Sequence, residues 1–311
     1  MEVIFLGTPA FAVPTLDSLA QSHRVQLVVT QPDRPKGRGQ ALTASPVKQT
    51  AIRLGLPVFQ PERIRRPEAQ ARLAELKPDI MVVVGYGQII PQSVIDIPPR
   101  GIVNVHASLL PKYRGAAPIQ WAIVNGEKIT GVTTMQINAG LDTGDILLAR
   151  ETDIDPDETA VELSERLARM GAELLIATLD GLGRAAIAPR KQDESQASLA
   201  PILKKEDGAL DWSQPAAAIH NRVRGLLPWP GGHTRFRGQL LHVWRSRTTT
   251  DRTSALPGRV VTGPGVRVAC GDGSVLDLVE LQLEGRKRMN AGAFANGQRL
   301  GENDILGEQS Q

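Results

Sequence analysis

One cysteine, Cys270, stands among 311 residues. An intrachain disulfide is impossible, and a thiolate zinc site would have no second sulfur. Packing must therefore hold the fold, and a reducing, cytoplasmic setting is expected. Aromatic residues are scarce, 4 % of the chain, so each of the four tryptophans is worth locating. No run approaches the roughly 18 apolar residues of a membrane-spanning helix. The apolar start, Met1 to Gly7, is too short and lacks the basic flank of a signal peptide, so no membrane association is expected. Two phosphate-cradling fingerprints are also missing. The first apolar run is followed by Gly7-Thr8-Pro9 rather than GxGxxG, and no GxxxxGK[ST] occurs. Both absences weaken a dinucleotide or ATP reading.

What is present is 41 % hydrophobic residues on a chain long enough for two domains. Up to about residue 188, short apolar runs alternate with amphipathic stretches. This pattern predicts strands over 3–6, 25–30, 80–84, 102–106, 132–137 and 146–150, with helices over 10–20, 46–54, 67–76, 117–124 and 159–179. Residues 80–84 are apolar at every position, as in a parallel strand covered on both faces. The expected class is α/β, with a mostly parallel, Rossmann-like sheet. Residues 189–206 are polar and unperiodic and read as a linker. From 207 the pattern changes to short strands (240–244, 258–261, 266–269, 275–283) separated by glycine-rich turns, with one helix over 215–224. That predicts a small OB-like β-barrel. The polar end, 301–311, is expected to fray. Trp212, Trp229 and Trp244 are expected to be core or domain-packing residues, and Cys270 an inert core residue.

The chemistry concentrates in Asn104-Val-His106-Ala-Ser-Leu-Leu-Pro-Lys-Tyr-Arg-Gly115 and, further on, Gly140-Leu-Asp142-Thr-Gly-Asp145. Asn104 and His106 are two apart on a predicted strand and so share one face. Asp142 sits on a glycine-marked loop. A carboxylate beside an imidazole favours its charged form and fixes its orientation. An asparagine amide adds an N–H donor. This trio suits a carbonyl that becomes an oxyanion while a proton moves. No serine or cysteine with a suitable base stands out, so direct transfer is expected rather than an acyl-enzyme. An isolated Asn-x-His is more simply a turn residue and a satisfied histidine. The flanking motifs argue for chemistry.

These two segments resemble the signatures of folate-dependent formyltransferases. The segments 5–9, 30–39, 45–48 and 82–87, with Asp211-Trp212-Ser213 and Pro228-Trp229-Pro230, narrow the resemblance to the methionyl-tRNA formyltransferase family, over nearly the whole chain. The resemblance implies transfer of a formyl group from 10-formyltetrahydrofolate to the α-amine of methionine on initiator tRNA, by a monomer needing no metal. It implies that Asn104 and His106 stabilise the oxyanion and that Asp142 keeps His106 protonated. It implies folate contacts around Gly87, Gln88, Ile89 and Ile90, around Ala139, Gly140 and Leu141, and along Ser108, Leu109, Leu110 and Pro111.

Charge carries the case for tRNA. Residues 201–300 hold 15 Lys and Arg against 8 Asp and Glu, a net of +7 within a chain of +3. Such a half favours a polyanion, nucleic acid before membrane, over a merely solvated basic face. The basic stretch 31–45 looks too broken for helix or strand and is expected to be unordered without tRNA. Under the resemblance, Arg34, Lys36 and above all Arg38 would enter the acceptor stem. Lys204 and Lys205, with Arg222, Arg224, Arg245, Arg247, Arg286, Lys287 and Arg288, would track the backbone. Lys48 and Tyr113 receive no role. Formyl transfer to a small amine, and a non-catalytic tRNA-binding protein, remain the alternatives.

Overall fold

The computed structural model describes residues 1–36, 41–263, 265–302 and 304–307, with only the backbone of Lys36 and Ala41. Arg38 lies outside the described residues. By internal contacts the chain divides into two compact units. One comprises residues 1–115, 130–152 and 164–200, the other residues 116–129, 153–163 and 201–311.

The first unit starts with β1 (Glu2–Gly7), α1 (Val13–Ser22), β2 (Arg24–Val29), β3 (Arg34–Lys36), β4 (Ala41–Thr43), α2 (Pro46–Arg53) and β5 (Val58–Phe59). It continues through α3 (Pro67–Glu75), β6 (Ile80–Val84), α4 (Gln92–Ile95), β7 (Ile102–His106) and β8 (Arg114–Gly115). After α5 (Pro118–Val124), which belongs to the second unit, come β9 (Ile129–Gln136), β10 (Ile146–Asp153), α6 (Ala160–Gly183) and β11 (Leu199–Ala200). Seven strands form one sheet in the order β10-β9-β7-β6-β1-β2-β5. Pairing is parallel from β5 through β7. Every residue of β6 and β7 is buried, as the unbroken apolar run of β6 requires. Helix α2 begins where its sequence says: Pro46 takes the first turn, and the Ser45 hydroxyl accepts from the Lys48 amide at 3.0 Å.

One strand direction is not specified by the sequence, and one expectation for this unit needs correction. Strand β9 runs antiparallel to β7, pairing Gln136 with Val103 and Thr133 with His106. It therefore leaves the sheet at the wrong end of β7 to deliver a carboxylate to His106, and the loop over 137–145 has to travel back. The stretch 31–45 is also not devoid of strand. Arg34, Pro35 and Lys36 pair with Thr43, Leu42 and Ala41. Below this hairpin, Thr30 Oγ1 and Ser45 Oγ lie 2.8 Å apart. Lys48 Nζ bonds Asp33 Oδ2 at 2.5 Å, and Gln60 Nε2 donates to Asp33 Oδ1 at 2.8 Å. Those two donors hold the Asp33 carboxyl below the usual carboxylate range, the lysine first. Lys48, without a role in the sequence, clamps the root of the basic hairpin.

The second unit carries α7 (Ala216–Gly225), β12 (Gly232–Phe236), β13 (Gln239–Arg252), β14 (Val260–Val261), β15 (Val266–Ala269), β16 (Ser274–Leu283), β17 (Met289–Asn290) and α8 (Ala291–Gln298). Its sheet is antiparallel in the order β12-β13-β16-β15-β14, with β17 on β16. Leu306 bridges Phe236 of β12, and Ile305 bridges Arg259 beside β14, so one short segment joins the two edges of the curled sheet. Leu306 is buried, which corrects the expectation of a frayed end at that point. Trp212 is buried and donates from Nε1 to Thr234 Oγ1 at 3.0 Å. Trp244 is half-buried, and Trp229 is 54 % exposed. Arg224 is buried. It donates to the carbonyls of Asp155 and Glu158 at 3.1 and 2.8 Å, which removes it from any surface track.

Candidate active site

The site grows from the carboxyl end of β7, in the first unit. Asn104 and His106 occupy the same face and are 8 % and 6 % exposed. Among the described residues, none hydrogen-bonds the Asn104 carboxamide, so both its polar ends are open to a ligand. His106 Nε2 lies 2.9 Å from the Tyr113 carbonyl oxygen. That oxygen can only accept, so Nε2 carries a hydrogen. The other nitrogen, Nδ1, faces Asp142 Oδ2 at 3.6 Å. This is ion-pair distance, longer than a hydrogen bond. A proton on Nδ1 thus has the carboxylate beside it and stays available to a third oxygen. Tyr113, unassigned from sequence, fixes the ring through its main chain.

Asp142 reaches this position at a backbone cost. Its φ is +51°, a left-handed conformation uncommon for a residue with a Cβ. The Gly115 amide donates to its Oδ2 at 2.8 Å. Asn138 Oδ1 accepts from the Gly140 amide at 2.9 Å and from Thr143 Oγ1 at 2.8 Å, which tightens the loop. Gly144 is required there: a Cβ would stand 1.7 Å from the Gln136 carbonyl oxygen.

The segment 108–111 turns directly after His106. Thr133 Oγ1 donates to the Ser108 carbonyl at 2.7 Å and accepts from the Leu110 amide at 3.2 Å. Ser108 Oγ donates to the Lys112 carbonyl at 2.6 Å. After β6, the segment from Gly87 to Ile90 is pinned by Gln88, whose Oε1 accepts from the Ile64 amide at 2.8 Å. The Gln88 side chain is thus used within the protein. Ile89 is 92 % exposed and Leu141 64 %. Tyr86, next to Gly87, points instead into the core, and burial pushes its phenol up to about 12.

Two residues that sequence reasoning missed complete the site. Arg114 is buried and bonds Glu194 through both terminal nitrogens at 2.8 Å. Gln192 bonds both Arg114 and the loop of Asp142. Arg114 was legible within the motif, whereas Gln192, 50 residues beyond Asp142, gave no local signal. Of the basic residues expected to meet nucleic acid, Arg34 is exposed at the hairpin edge, and Lys204 and Lys205 are exposed at a short turn in the second unit. Arg245, Arg247, Arg286 and Lys287 are exposed, while Arg222 donates to the Asp207 carbonyl and Arg288 pairs with Glu280. Among the described residues no cluster of His, Cys, Asp and Glu is arranged to hold a metal ion, and no helix is long and apolar enough to cross a membrane.

Comparison with known proteins adds the following. Residues 1–179 match the formyl transferase family, and residues 202–299 match the formyl transferase C-terminal domain. The chain is 63 % identical to a methionyl-tRNA formyltransferase of Solibacter usitatus, over 99 % of both chains. It is 53 % identical to one of Koribacter versatilis, over 100 % of both. Among solved structures, a Helicobacter canadensis N-formyltransferase in complex with folinic acid and dTDP-3-aminofucose aligns with a TM-score of 0.70 at 19 % identity. That alignment covers 89 % of this chain and 98 % of the other. A glycinamide ribonucleotide transformylase of Symbiobacterium toebii aligns at 0.51 and 20 %, covering 62 % and 94 %.

Proposed function

Since the chain belongs to the formyl transferase family, we propose that it formylates the α-amine of methionine on initiator methionyl-tRNA, with 10-formyltetrahydrofolate as donor substrate. The observation that carries this reading is the 63 % identity to a methionyl-tRNA formyltransferase over 99 % of both chains, barrel unit included. Amine formylation on the same scaffold by other proteins extends to an amino sugar, but only at 19 % identity.

The residues present fit such a donor. The main chain of Gly87, Gln88, Ile89 and Ile90 and of Ala139, Gly140 and Leu141 offers fixed polar groups, with Ile89 and Leu141 as apolar flanks. Ser108, Leu109, Leu110 and Pro111 would form the remaining wall. As the amine adds to the formyl carbon, the formyl oxygen gains charge. Asn104 gives it an N–H, and His106 donates a hydrogen bond to it from Nδ1–H. Asp142, 3.6 Å from Nδ1, would compensate charge that gathers on that ring and assist the loss of the amine proton. The new C–N bond forms, the bond from the formyl carbon to the folate nitrogen breaks, and the proton lost by the amine ends on that nitrogen. No covalent bond to the protein is needed. Arg34, Lys36 and Arg38, with Lys204 and Lys205, would supply the polyanion contacts that select tRNA.

The test is an acceptor panel. Purified protein and 10-formyltetrahydrofolate are incubated with charged initiator tRNA, with a dTDP-amino sugar and with free methionine. Formylation of the tRNA at a kcat/KM at least a hundred times that of the small amines is expected. Preference for a small amine would overturn the assignment.

A further inference from the structure

Residues 190–200, polar and without periodicity in sequence, do not hang free in the first unit. At one end Arg190 and Ile146 exchange backbone hydrogen bonds at 2.8 and 2.9 Å. At the other, β11 pairs in parallel with β8, the Ser198 carbonyl accepts from the Arg114 amide at 2.8 Å, and Ser198 Oγ accepts from the Tyr113 amide at 2.9 Å. The strap therefore crosses the segment that orients His106 and the segment that bonds Asp142.

Gln192, half-buried in an otherwise exposed run, lies at its centre. Its Nε2 donates to the Asp142 carbonyl and to the Gly144 carbonyl, each at 2.7 Å. Its Oε1 accepts from Arg114 Nε and from one terminal Arg114 nitrogen, at 3.1 and 2.8 Å. An amide side chain has two hydrogens and two lone pairs, and all four are used. The path closes on itself. It runs from the Asp142 carboxylate to the Gly115 amide, along the main chain to Arg114, across the guanidinium to Gln192, and back to the Asp142 carbonyl. The hydrogen bonds of Glu194 to Arg114 keep that guanidinium charged and in place.

We infer that Gln192 is the positioning residue for Asp142, setting the carboxylate against His106 through main-chain bonds rather than by touching substrate. Asp142 needs such a device for two reasons. Its φ of +51° is unfavourable for an aspartate, and its loop leaves β9 at the far end of β7. Both main-chain bonds fall within the turn that carries the carboxylate, where a shift of an ångström moves the Nδ1–Oδ2 pair out of register.

The inference rests on the formyl-transfer reading, and two readouts keep them separable. Gln192→Glu retains the side-chain volume and the acceptor for Arg114, and so the fold, but removes both donors. Gln192→Ala removes all four bonds. With methionyl-tRNA as acceptor, both variants are expected to lose kcat by about 100-fold, the order of a misplacement of about 1 Å, with KM for tRNA and folate changed less than about twofold. Independently of turnover, crystal structures of the parent and of Gln192→Ala should show the Asp142 carboxylate moved away from His106 Nδ1 in the variant. An Asp142 carboxylate that stays in place in Gln192→Ala overturns the inference even if the acceptor proves to be another amine. So does a Gln192→Glu variant with parental kcat, or a loss confined to KM.

Discussion

Replacing Asp142 by Asn isolates the charge facing His106. The amide oxygen still accepts from Gly115, and the main-chain carbonyl still accepts from Gln192, so the loop keeps its anchors. What disappears is a negative charge 3.6 Å from Nδ1. In a medium of effective dielectric about 20, two unit charges at that distance attract by roughly 4–5 kcal/mol. The pair is close to solvent on the Asp142 side, which reduces the share felt by the transition state. At about 1.4 kcal/mol per decade, a loss of roughly 10²- to 10³-fold in kcat is expected. The thermal midpoint should fall by no more than about 4 °C, the shift of roughly 1 kcal/mol in a chain of this size. Single-turnover formylation with saturating folate and tRNA measures the rate, and calorimetry measures the midpoint. An Asp142→Asn protein that turns over within tenfold of the parent would refute the electrostatic role. One that is inactive because it has unfolded would refute the claim that the loop keeps its anchors without the charge.

If Arg34, Lys36, Arg38, Lys204 and Lys205 each neutralise one phosphate, log K for tRNA should fall against log salt with a slope of about −4. Arg38→Ala should make that slope shallower by about 1 while folate affinity stays constant; a salt-independent affinity would remove nucleic-acid steering from the account. Burial, above all, holds His23, His220 and His242 below the ordinary imidazole value of 6.5. As pH falls below 6.5 the unfolded chain therefore binds more protons than the folded one. Stability that is full above 6.5 should be lost progressively on acidification. Melting curves from pH 7.5 to 5.5 check this, and a midpoint that rises on acidification contradicts it. The buried Cys270 thiol is pushed up to about 12, so a thiol reagent at pH 8 should label nothing in the native protein and one group after unfolding.

Much of the scaffold was legible because it depends on local pattern. The all-apolar run of β6, the Asn104–His106 spacing that places two side chains on one face, and the Ser45-Pro46 start of α2 are decided within a few residues. What was not legible depends on distant partners. The apolar run of β9 does not say that it pairs antiparallel, so the return path of the Asp142 loop was hidden. Arg34-Pro35-Lys36 reads as a broken basic turn until Ala41 to Thr43 is laid against it. Arg224 looks like a surface charge because the two carbonyls that bury it come from 155 and 158. Gln192 is a polar residue in a polar stretch, and only the folded chain brings it to Asp142.

The measurement closest to the central claim follows the formyl carbon itself. With a ¹³C-formyl donor, charged initiator tRNA and the purified protein, the aminoacyl ester is hydrolysed and the released amino acid analysed by mass spectrometry. The account predicts that the label resides on the α-nitrogen of methionine, in amounts equal to the tetrahydrofolate formed. Label recovered as formate, or on a nucleotide base with methionine unmodified, would contradict it.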